Sequence, residues 1–441
     1  MRWQCSWIAP IFITAAAALG HAEQRLHKPS PPPGFVTARG TKFELDGKPF
    51  AFVGANSYWL PLLTSQSDVE ATFKTMKNAG VKVLRTWGFN AINGSELAEA
   101  LKSDLTYYQV WNSSEWILNE GPQGLKRLDN VIKTAEKYDI KVLLAFTNNW
   151  VGYGGMELYI NWIAGSGHSH DIFYTDKRII ASYQNYVRAI VDRYKESPAI
   201  FAWELMNEAR CLGDLPAGPA CIAGTELLPK WYREQSDFVR SLDPHHMITT
   251  GGEGHFFWKN PVKYWFNGTL VSDYNFNGAA GEDFDRDITF PNIDFGTYHM
   301  YPQTWYPELD TPGSNFSVEA WGLDWIDAHI KSANKAGKPL LLEEFGVTGL
   351  SNKTTMYTSW VKRALDTKHA SPIPLRTFSG IMPWQFGQLG LKESGGNRLI
   401  KYADALINGA SPNDGFAIFT NQTAVWDIFT NAAKVQNSRS K

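Results

Sequence analysis

The chain has 441 residues, of which 44% are hydrophobic and 20% are charged. This balance suits a large buried core and excludes a disordered or fibrous protein. The formal net charge is -2, so the chain lacks the basic surplus that binds nucleic acid or anionic membranes. A neutral ligand is the best match for this charge balance.

Residues 1–22 have the pattern of a secretory signal peptide. Arg2 precedes an apolar run that is too short to span a bilayer, and Gly20 and Ala22 supply the small residues of a cleavage site. Residues 23–34 are a Pro-rich lead-in, which leaves residues 35–441 as one domain with a C-terminal extension. Export also suits the Asn-x-Ser/Thr tripeptides that begin at Asn93, Asn112, Asn267, Asn315, Asn352 and Asn421.

Two cysteines, Cys211 and Cys221, remain after the predicted signal peptide is removed. In an oxidising compartment we expect them to form one disulfide. Two cysteines without a histidine cluster make a poor zinc site, and His168 and His170 lie in a segment that has the composition of a solvated loop. The sequence therefore predicts no metal site, and nothing in it implies a cofactor.

Short apolar runs alternate with amphipathic helical patterns along the rest of the chain. The strand-like runs occupy residues 52–59, 81–89, 140–150, 199–208, 247–252, 293–301, 339–346 and 378–386. Helical patterns occupy residues 68–79, 125–138, 179–194, 230–242, 321–336 and 356–365. About eight strand–helix repeats predict an α/β protein with a single (β/α)8 TIM barrel and elaborated βα loops. The longest loop, residues 255–292, is expected to have no core of its own.

Polar residues fall at the predicted carboxyl ends of these strands, where barrels of this kind carry catalytic groups. They are Arg85, Asn149, Trp150, Asn207, Glu208, Glu253, His299, Tyr301, Glu344 and Trp384. Core packing does not explain such a set, because an unpaired buried charge costs several kcal/mol. Cleavage of a glycosidic bond requires two carboxylates, one to protonate the leaving oxygen and one to attack the anomeric carbon or activate water.

The alternation of side chains along a strand sorts the neighbouring carboxylates. Only one of Glu343 and Glu344 faces the barrel mouth, and the spacing does not decide which. Glu204 lies roughly 13 Å below Glu208, at about 3.3 Å per strand residue. We therefore expect Glu204 to be a buried partner of Arg85 and not a catalytic group.

With these residues the chain resembles glycoside hydrolase family 5, and most closely its fungal-type endo-β-1,4-mannanases, across nearly all of residues 35–387. The matching signatures are Asn207-Glu208 after the fourth strand and Glu344-Phe345-Gly346 after the seventh. The resemblance implies that Glu208 is the general acid/base and Glu344 the nucleophile. The choice between Glu343 and Glu344 thus rests on analogy.

The same resemblance implies a set of substrate-binding residues. In it, Arg85 keeps the nucleophile ionised, Asn207 holds the sugar 2-hydroxyl, and Arg210 and Glu253 contact sugars on the leaving-group side. The remaining implied residues are Asn149, Trp150, His299, Tyr301 and Trp384. Because a ring face matches the apolar face of a pyranose, the candidate sugar platforms are Trp59, Trp87, Trp150, Tyr153, Trp305 and Trp384.

The sequence therefore predicts a secreted, monomeric, retaining glycoside hydrolase that cleaves β-1,4-mannosidic bonds in mannan, glucomannan or galactomannan. Its partner is the polysaccharide, with no nucleic acid and no membrane. Residues 210–227 form a loop longer than the resemblance leads us to expect, and such a loop can close the cleft. The alternatives are accordingly an exo-acting β-mannosidase or a transglycosylating mannanase, then a cellulase or other β-glucanase, then an inactive carbohydrate-binding barrel.

Overall fold

A computed structural model describes residues 31–366, 380–393, 400–402, 405–407 and 411–440. The predicted signal peptide, most of the Pro-rich lead-in and the first residues of the predicted eighth strand lie outside this part. The strands are β1 Val36–Arg39, β2 Lys42–Leu45, β3 Lys48–Pro49, β4 Gly54–Asn56, β5 Val83–Trp87, β6 Ala91–Asn93, β7 Gln109–Trp111, β8 Trp116–Leu118, β9 Lys141–Ala145, β10 Ile200–Glu204, β11 Met247–Thr249, β12 Lys263–Phe266, β13 Thr269–Ser272, β14 Gly296–Met300, β15 Leu340–Phe345, β16 Gly380–Ile381, β17 Ile400–Tyr402 and β18 Ala405–Ile407. The α-helices are α1 Gln66–Asn78, α2 Leu97–Lys102, α3 Leu125–Lys137, α4 Met156–Tyr159, α5 Lys177–Tyr194, α6 Leu227–Leu242, α7 Phe284–Asp287, α8 Pro302–Trp305, α9 Val318–Ala336, α10 Leu350–Ala364 and α11 Thr423–Arg439.

Each of the predicted strand runs contains one strand of a parallel arrangement. A five-stranded sheet has the order β11-β10-β9-β5-β4, and a three-stranded sheet has the order β14-β15-β16. All pairings within these two sheets are parallel. Every residue of β5, β9, β10, β14 and β15 is buried, which explains why these runs are continuously apolar. The α/β class predicted from the sequence is confirmed.

The two sheets also contact each other along both edges. On one side, Val53 and Ile381 form an isolated parallel bridge between the segments around β4 and β16. On the other side, the backbone N–H of Asp294 donates to the carbonyl of Ile248 at 2.8 Å. The carboxyl ends of the strands in both sheets therefore point toward one common face.

Helices α1, α3, α5, α6 and α9 match the predicted helical patterns to within about three residues, whereas α10 begins earlier than predicted, at Leu350. Helices α5 and α9 begin at side-chain N-caps. The Asp176 carboxylate accepts the N–H of Arg178 at 2.8 Å and begins α5, and the Ser317 hydroxyl accepts the N–H of Ala320 at 3.1 Å and begins α9. Helix α9 ends at Gly337, whose φ of 68° is in the left-handed region.

A small antiparallel sheet of β1, β2 and β3 covers the amino ends of the parallel strands. Phe43 of β2 lies against Phe201 and Phe295, with ring centroids 5.2 Å apart in both pairs. These residues share a buried core with Val83 and Met247, the first residues of β5 and β11. With this end closed, the carboxyl ends of the strands remain available for a site.

The elements that were not predicted include the sheet of β6, β7 and β8, the hairpin of β12 and β13, and helix α11. The hairpin belongs to residues 255–292, whose aromatic residues Phe256 and Phe276 pack edge-on against Trp325 of α9. This loop therefore shares a core with α9. None of the helices in the described residues is both long enough and apolar enough to cross a bilayer.

Candidate active site

Glu344 lies near the carboxyl end of β15, where two donors hold its side chain. The Tyr301 hydroxyl donates to Oε2 at 2.7 Å, and the guanidinium of Arg85 pairs with Oε1. The Glu344 side chain is only 5% exposed. Burial raises the pKa of Glu344 above its usual range, while His299 and Arg85 act in the opposite direction. His299, Arg85 and Tyr301 thus favour the ionised form of this carboxylate, while burial and the Glu208 charge oppose it.

Glu208 lies in the loop that follows β10 and has a φ of 53°, a left-handed conformation that is uncommon for a residue other than glycine. This backbone brings its carboxylate between two donors. The indole N–H of Trp150 donates to Oε2 at 2.6 Å, and Nδ1 of His299 lies 2.8 Å from Oε1. The Glu208 side chain is 13% exposed, so it is more open to the cleft than Glu344.

The two carboxylates approach each other closely. One ligand-type atom each from Glu208, His299 and Glu344 lies within 4.8 Å of the others, the one such grouping found among the described residues. These atoms are held by hydrogen bonds to one another or to neighbouring protein donors, as expected for an acid–base site. We therefore do not interpret the three residues as metal ligands.

An open cleft of about 600 Å³ lies above these carboxylates. The sequence-predicted residues that line it are Trp87, Trp150, Asn207, Glu208, Arg210, Glu253, Tyr301, Glu344 and Trp384. The structure thus brings together most of the predicted set at the carboxyl ends of the parallel strands. Tyr153 and Trp305, two of the candidate sugar platforms, also line the cleft.

Arg85 and His299 are buried below the cleft surface. Arg85 donates from Nε and Nη2 to the two oxygens of Glu204 at 2.7 and 2.6 Å, which confirms the expected partnership. A further bond of 2.7 Å runs from Nη2 to Oδ1 of Asn207. Burial alone lowers the pKa of His299, but the surrounding carboxylates, Glu344 first, raise it well above its ordinary value. Arg85 and His299 therefore contact the Glu344 and Glu208 carboxylates from below the cleft surface.

Asn149, predicted to bind sugar, is fully buried and faces the protein. Its Oδ1 lies 2.8 Å from Nε2 of His170 and accepts the backbone N–H of Arg210 at 3.0 Å. The neighbouring Asn148 lines the cleft in its place. His170 is also buried, contrary to the expected solvated loop, and burial lowers its pKa to about 4. Asn149 and His170 therefore anchor the loop that follows Glu208.

Trp59 was predicted as a sugar platform, and this is wrong because its side chain is completely buried. The preceding residue, Tyr58, lines the cleft and stacks on Trp384 with ring centroids 5.3 Å apart at an angle of 7°. Tyr58 and Trp59 lie beyond the end of β4, so strand alternation did not indicate which of them faces the cleft. The platform at this position is therefore built from Tyr58 and Trp384.

The C-terminal segment contributes cleft residues that the sequence reasoning missed. Asp414 accepts hydrogen bonds from Trp384 Nε1 at 3.1 Å and from Gln385 Nε2 at 2.9 Å. Phe416 lies edge-on to Tyr301 with ring centroids 5.6 Å apart. No local motif marks these positions, because their partners are distant in sequence. The extension beyond Trp384 is thus part of the cleft wall.

Arg210 and Glu253 form an ion pair on the opposite wall. The Arg210 guanidinium lies 5.6 Å from the centroid of the Trp150 ring. Arg210 and His255 hold the pKa of Glu253 far below its usual range, although burial opposes them. Cys211, the next residue along the chain, forms the expected disulfide with Cys221, with the two Cα atoms 5.6 Å apart. This wall therefore combines a fixed charge pair with a cross-linked loop.

Two closely spaced carboxylates below an aromatic-walled cleft are the arrangement with which glycoside hydrolases cleave sugar polymers. The chain belongs to the glycoside hydrolase family 5 β-mannosidase-like family, whose sequence pattern matches residues 33–439. The resemblance drawn from the Asn207-Glu208 and Glu344-Phe345-Gly346 signatures is confirmed.

Relatives within the family are similar over most of the chain. The chain is 38% identical to mannan endo-1,4-β-mannosidase F of Aspergillus clavatus, over 87% of this chain and 75% of that protein. It is 35% identical to a probable mannan endo-1,4-β-mannosidase A-2 of Aspergillus terreus, over 92% and 89%. The crystal structure of an endo-1,4-β-mannanase from Rhizomucor miehei superposes with a TM-score of 0.74 and 31% identity, covering 92% of this chain and 99% of that one.

Proposed function

We propose that this protein is a secreted endo-β-1,4-mannanase that cleaves mannan, glucomannan or galactomannan with retention of anomeric configuration. The relatives are named as mannan endo-1,4-β-mannosidases or as an endo-1,4-β-mannanase, and their similarity covers 87% to 92% of this chain. The observation that carries the mechanism is the approach of the Glu208 and Glu344 carboxylates to within 4.8 Å. Retaining enzymes place the two groups about 5–5.5 Å apart, whereas inverting enzymes need about 6.5–9.5 Å.

In the first step, an oxygen of Glu344 attacks the anomeric carbon while Glu208 transfers its proton to the glycosidic oxygen. The glycosidic bond breaks, the shortened chain leaves as an alcohol, and an ester joins the sugar to Glu344. In the second step Glu208 takes a proton from water, whose oxygen attacks the anomeric carbon and releases Glu344 as a carboxylate. Both steps invert the configuration at the anomeric carbon, so the product keeps the β configuration.

Asn207 is suited to hold the sugar 2-hydroxyl. Its Oδ1 accepts from Arg85 and its Nδ2 donates to Oδ1 of Asn148 at 2.8 Å, which fixes the amide plane. An amide nitrogen has two hydrogens, so one remains for the sugar. Because this bond strengthens as the transition state forms, it contributes to the rate.

We also propose that the parallel strands close into one (β/α)8 barrel. The bridge between Val53 and Ile381 and the hydrogen bond between Asp294 and Ile248 support closure at the two edges where the sheets meet. Secretion is supported by the signal-peptide pattern of residues 1–22 and by the disulfide, which suits an oxidising compartment. The monomeric state stays a prediction from the sequence.

The test is a parallel incubation of the secreted protein with mannohexaose and with cellohexaose, following product masses from the earliest times. Simultaneous release of mannobiose, mannotriose and mannotetraose supports endo action. Stepwise loss of single mannoses would show that the loop at residues 210–227 closes the cleft. Cleavage of cellohexaose alone would overturn the proposal. The E344Q variant, prepared identically, controls for contaminating activity, and proton NMR of the first product tests retention.

A further inference from the structure

Glu343 is a buried carboxylate without an assigned role. It precedes Glu344 in β15, and its side chain is completely inaccessible to solvent. Oε2 lies 3.2 Å from Nε2 of His299, whereas Oε1 has no hydrogen-bond partner among the described residues and lies 3.7 Å from Nε of Arg85. Burying a carboxylate oxygen without a hydrogen bond is costly, and such groups are rare in folded proteins. An uncharged residue would fit this strand at lower cost.

The imidazole of His299 connects Glu343 to the cleft. Its Nε2 faces Glu343, and its Nδ1 faces Oε1 of Glu208 at 2.8 Å. The ring is buried, and the backbone carbonyl of His299 is fixed by the indole N–H of Trp325 at 2.8 Å. One ring therefore spans from a carboxylate that has no access to substrate to the carboxylate that meets the leaving group.

Glu343 is not required to satisfy Arg85. The guanidinium already makes two short hydrogen bonds to Glu204 and pairs with Glu344. Its distance to Glu343 is longer than a hydrogen bond. Glu204 and Glu343 are both buried beside the same arginine, but His299 makes a hydrogen bond to Glu343 and none to Glu204.

We propose that Glu343 is a positioning residue that acts through His299 on Glu208, an inference that rests on the proposed acid/base role of Glu208. Ionised Glu343 accepts the Nε2–H of His299 and stabilises the protonated imidazole. The Nδ1–H then donates to Glu208 and stabilises the carboxylate that forms as Glu208 gives its proton to the leaving oxygen. The two protons of the imidazolium stay on the ring throughout.

The charges around this group define how it responds to pH. Burial and Glu204 raise the pKa of Glu343, while Arg85 and His299 lower it. The ionisable groups that face Glu343, His299 or Glu208 are Arg85, Glu204, Arg210, Tyr301 and Glu344. Glu343 contacts the His299 ring directly, and this contact is among those that raise the pKa of His299. Removing the Glu343 charge lowers the pKa of His299, so the imidazolium loses its proton at lower pH.

The experiment compares E343Q with E204Q, which removes a charge beside Arg85 but leaves the contact with His299 intact. Each variant is assayed on mannohexaose and on 2,4-dinitrophenyl β-mannobioside, whose leaving group needs no proton. The measured quantity is kcat/KM, which reports the first bond cleavage. We expect E343Q to lose about tenfold or more on mannohexaose and less than about twofold on the activated substrate. The basic limb of the E343Q profile of kcat/KM against pH should move to lower pH.

E204Q should instead lose activity equally on both substrates, with its basic limb unchanged. Equal losses for E343Q on both substrates, with an unchanged basic limb, would overturn the inference and leave Glu343 a structural partner of Arg85. If E343Q does not fold, H299Q must show the same dependence on the leaving group, and equal losses there would also overturn it. If the wild-type protein is inactive on mannohexaose, the proposed function itself is overturned.

Discussion

The two carboxylates of the cleft occupy contrasting surroundings. Glu344 ends a buried strand, is 5% exposed and is held by Arg85 and Tyr301. Glu208 lies in a loop with left-handed backbone, is 13% exposed and is held by the neutral indole of Trp150 and by His299. The proposed nucleophile thus lies on a buried strand beside Arg85. The proposed acid/base lies where the cleft is more open.

The two walls of the cleft also differ in the surroundings of the buried carboxyl groups behind them. We call the wall with Trp384 and Asp414 the Glu344 side, and the wall with Arg210 and Glu253 the Glu208 side. Behind the Glu208 side lie two further buried carboxyls, Glu282 and Asp287. Burial raises their pKa values to about 8 and about 7. Arg85 and His299 lower the pKa values of the carboxylates beneath the Glu344 side, whereas burial is the largest influence on Glu282 and Asp287.

The largest expected effect comes from truncating each carboxylate. E344A and E208A should each lose about 10²- to 10⁴-fold in kcat on mannohexaose, because one removes the proposed nucleophile and the other the proposed proton donor. Added azide separates the two roles. In E208A it attacks the sugar ester of Glu344 and gives a β-mannosyl azide, whereas in E344A it attacks an activated substrate directly and gives the α product. Proton NMR distinguishes these anomers.

The reverse stereochemistry would exchange the two roles, and an α-mannosyl azide from E208A would show that no ester forms on Glu344. Wild-type enzyme incubated with azide provides the control. Fold integrity is checked by the thermal transition of each variant, since both side chains are buried or nearly so.

The position of Glu344 was predictable because the run 339–346 is short, apolar and ends in a signature, and the structure makes it a buried strand. Side-chain direction in loops was not predictable. The residues after β9 are outside the strand, so two-residue alternation does not apply to Asn148 and Asn149. Asp414 was not predicted as a cleft residue for a different reason. Its contact with Trp384 joins two segments 30 residues apart, and no local pattern indicates such a contact.

A matched pair of substitutions removes one donor from each carboxylate. Y301F removes the hydroxyl that donates to Glu344 and keeps the ring, and W150F removes the indole N–H that donates to Glu208. A hydrogen bond to a charged group is worth about 1.5–3 kcal/mol, so kcat/KM should fall about 10- to 100-fold in Y301F. The Tyr301 hydroxyl lowers the pKa of Glu344, so its loss raises that pKa and moves the acidic limb to higher pH.

W150F should lower kcat/KM while its acidic limb stays at the wild-type position, because Trp150 donates to Glu208 and makes no hydrogen bond to Glu344. Rate profiles between pH 3 and 8 measure both limbs. An acidic limb that moves equally in the two variants would mean that Glu344 and Glu208 are not controlled separately, and the contrast between them would fail.

Removing the disulfide tests whether the Glu208 side depends on its loop. The double variant C211S/C221S opens a loop with a sequence separation of 10, which costs roughly 3 kcal/mol of stability in the chain-entropy estimate. Because Arg210 adjoins Cys211, we expect KM for mannohexaose to rise several-fold while kcat changes little. Reduced wild-type protein is the matched control. An unchanged KM would show that Asn149 and His170 hold the loop without the cross-link.

The smallest expected effect is on stability and concerns Glu282. Its Oε1 accepts the Tyr232 hydroxyl at 2.9 Å in a fully buried site. With a folded pKa of about 8, well above the usual value of about 4.3, the folded state keeps a proton that the unfolded chain releases. The stability that protonated Glu282 contributes is therefore fully present below about pH 4 and is lost as the pH rises through about 8. The thermal transition should drop by roughly a few degrees between pH 5 and pH 8.

E282Q carries the same shape without the ionisation, so its thermal transition should depend less on pH across that range. D287N tests the second carboxyl in the same way. An equal drop in wild type and in both variants would place the pH sensitivity outside the Glu208 side. If instead each variant removes part of the drop, the two sides of the cleft differ in stability as well as in chemistry. Arg85 pairs with buried carboxylates below the Glu344 side, whereas behind the Glu208 side burial outweighs the ion pair of Asp287 with Arg286 at 3.3 Å and raises the pKa of Asp287.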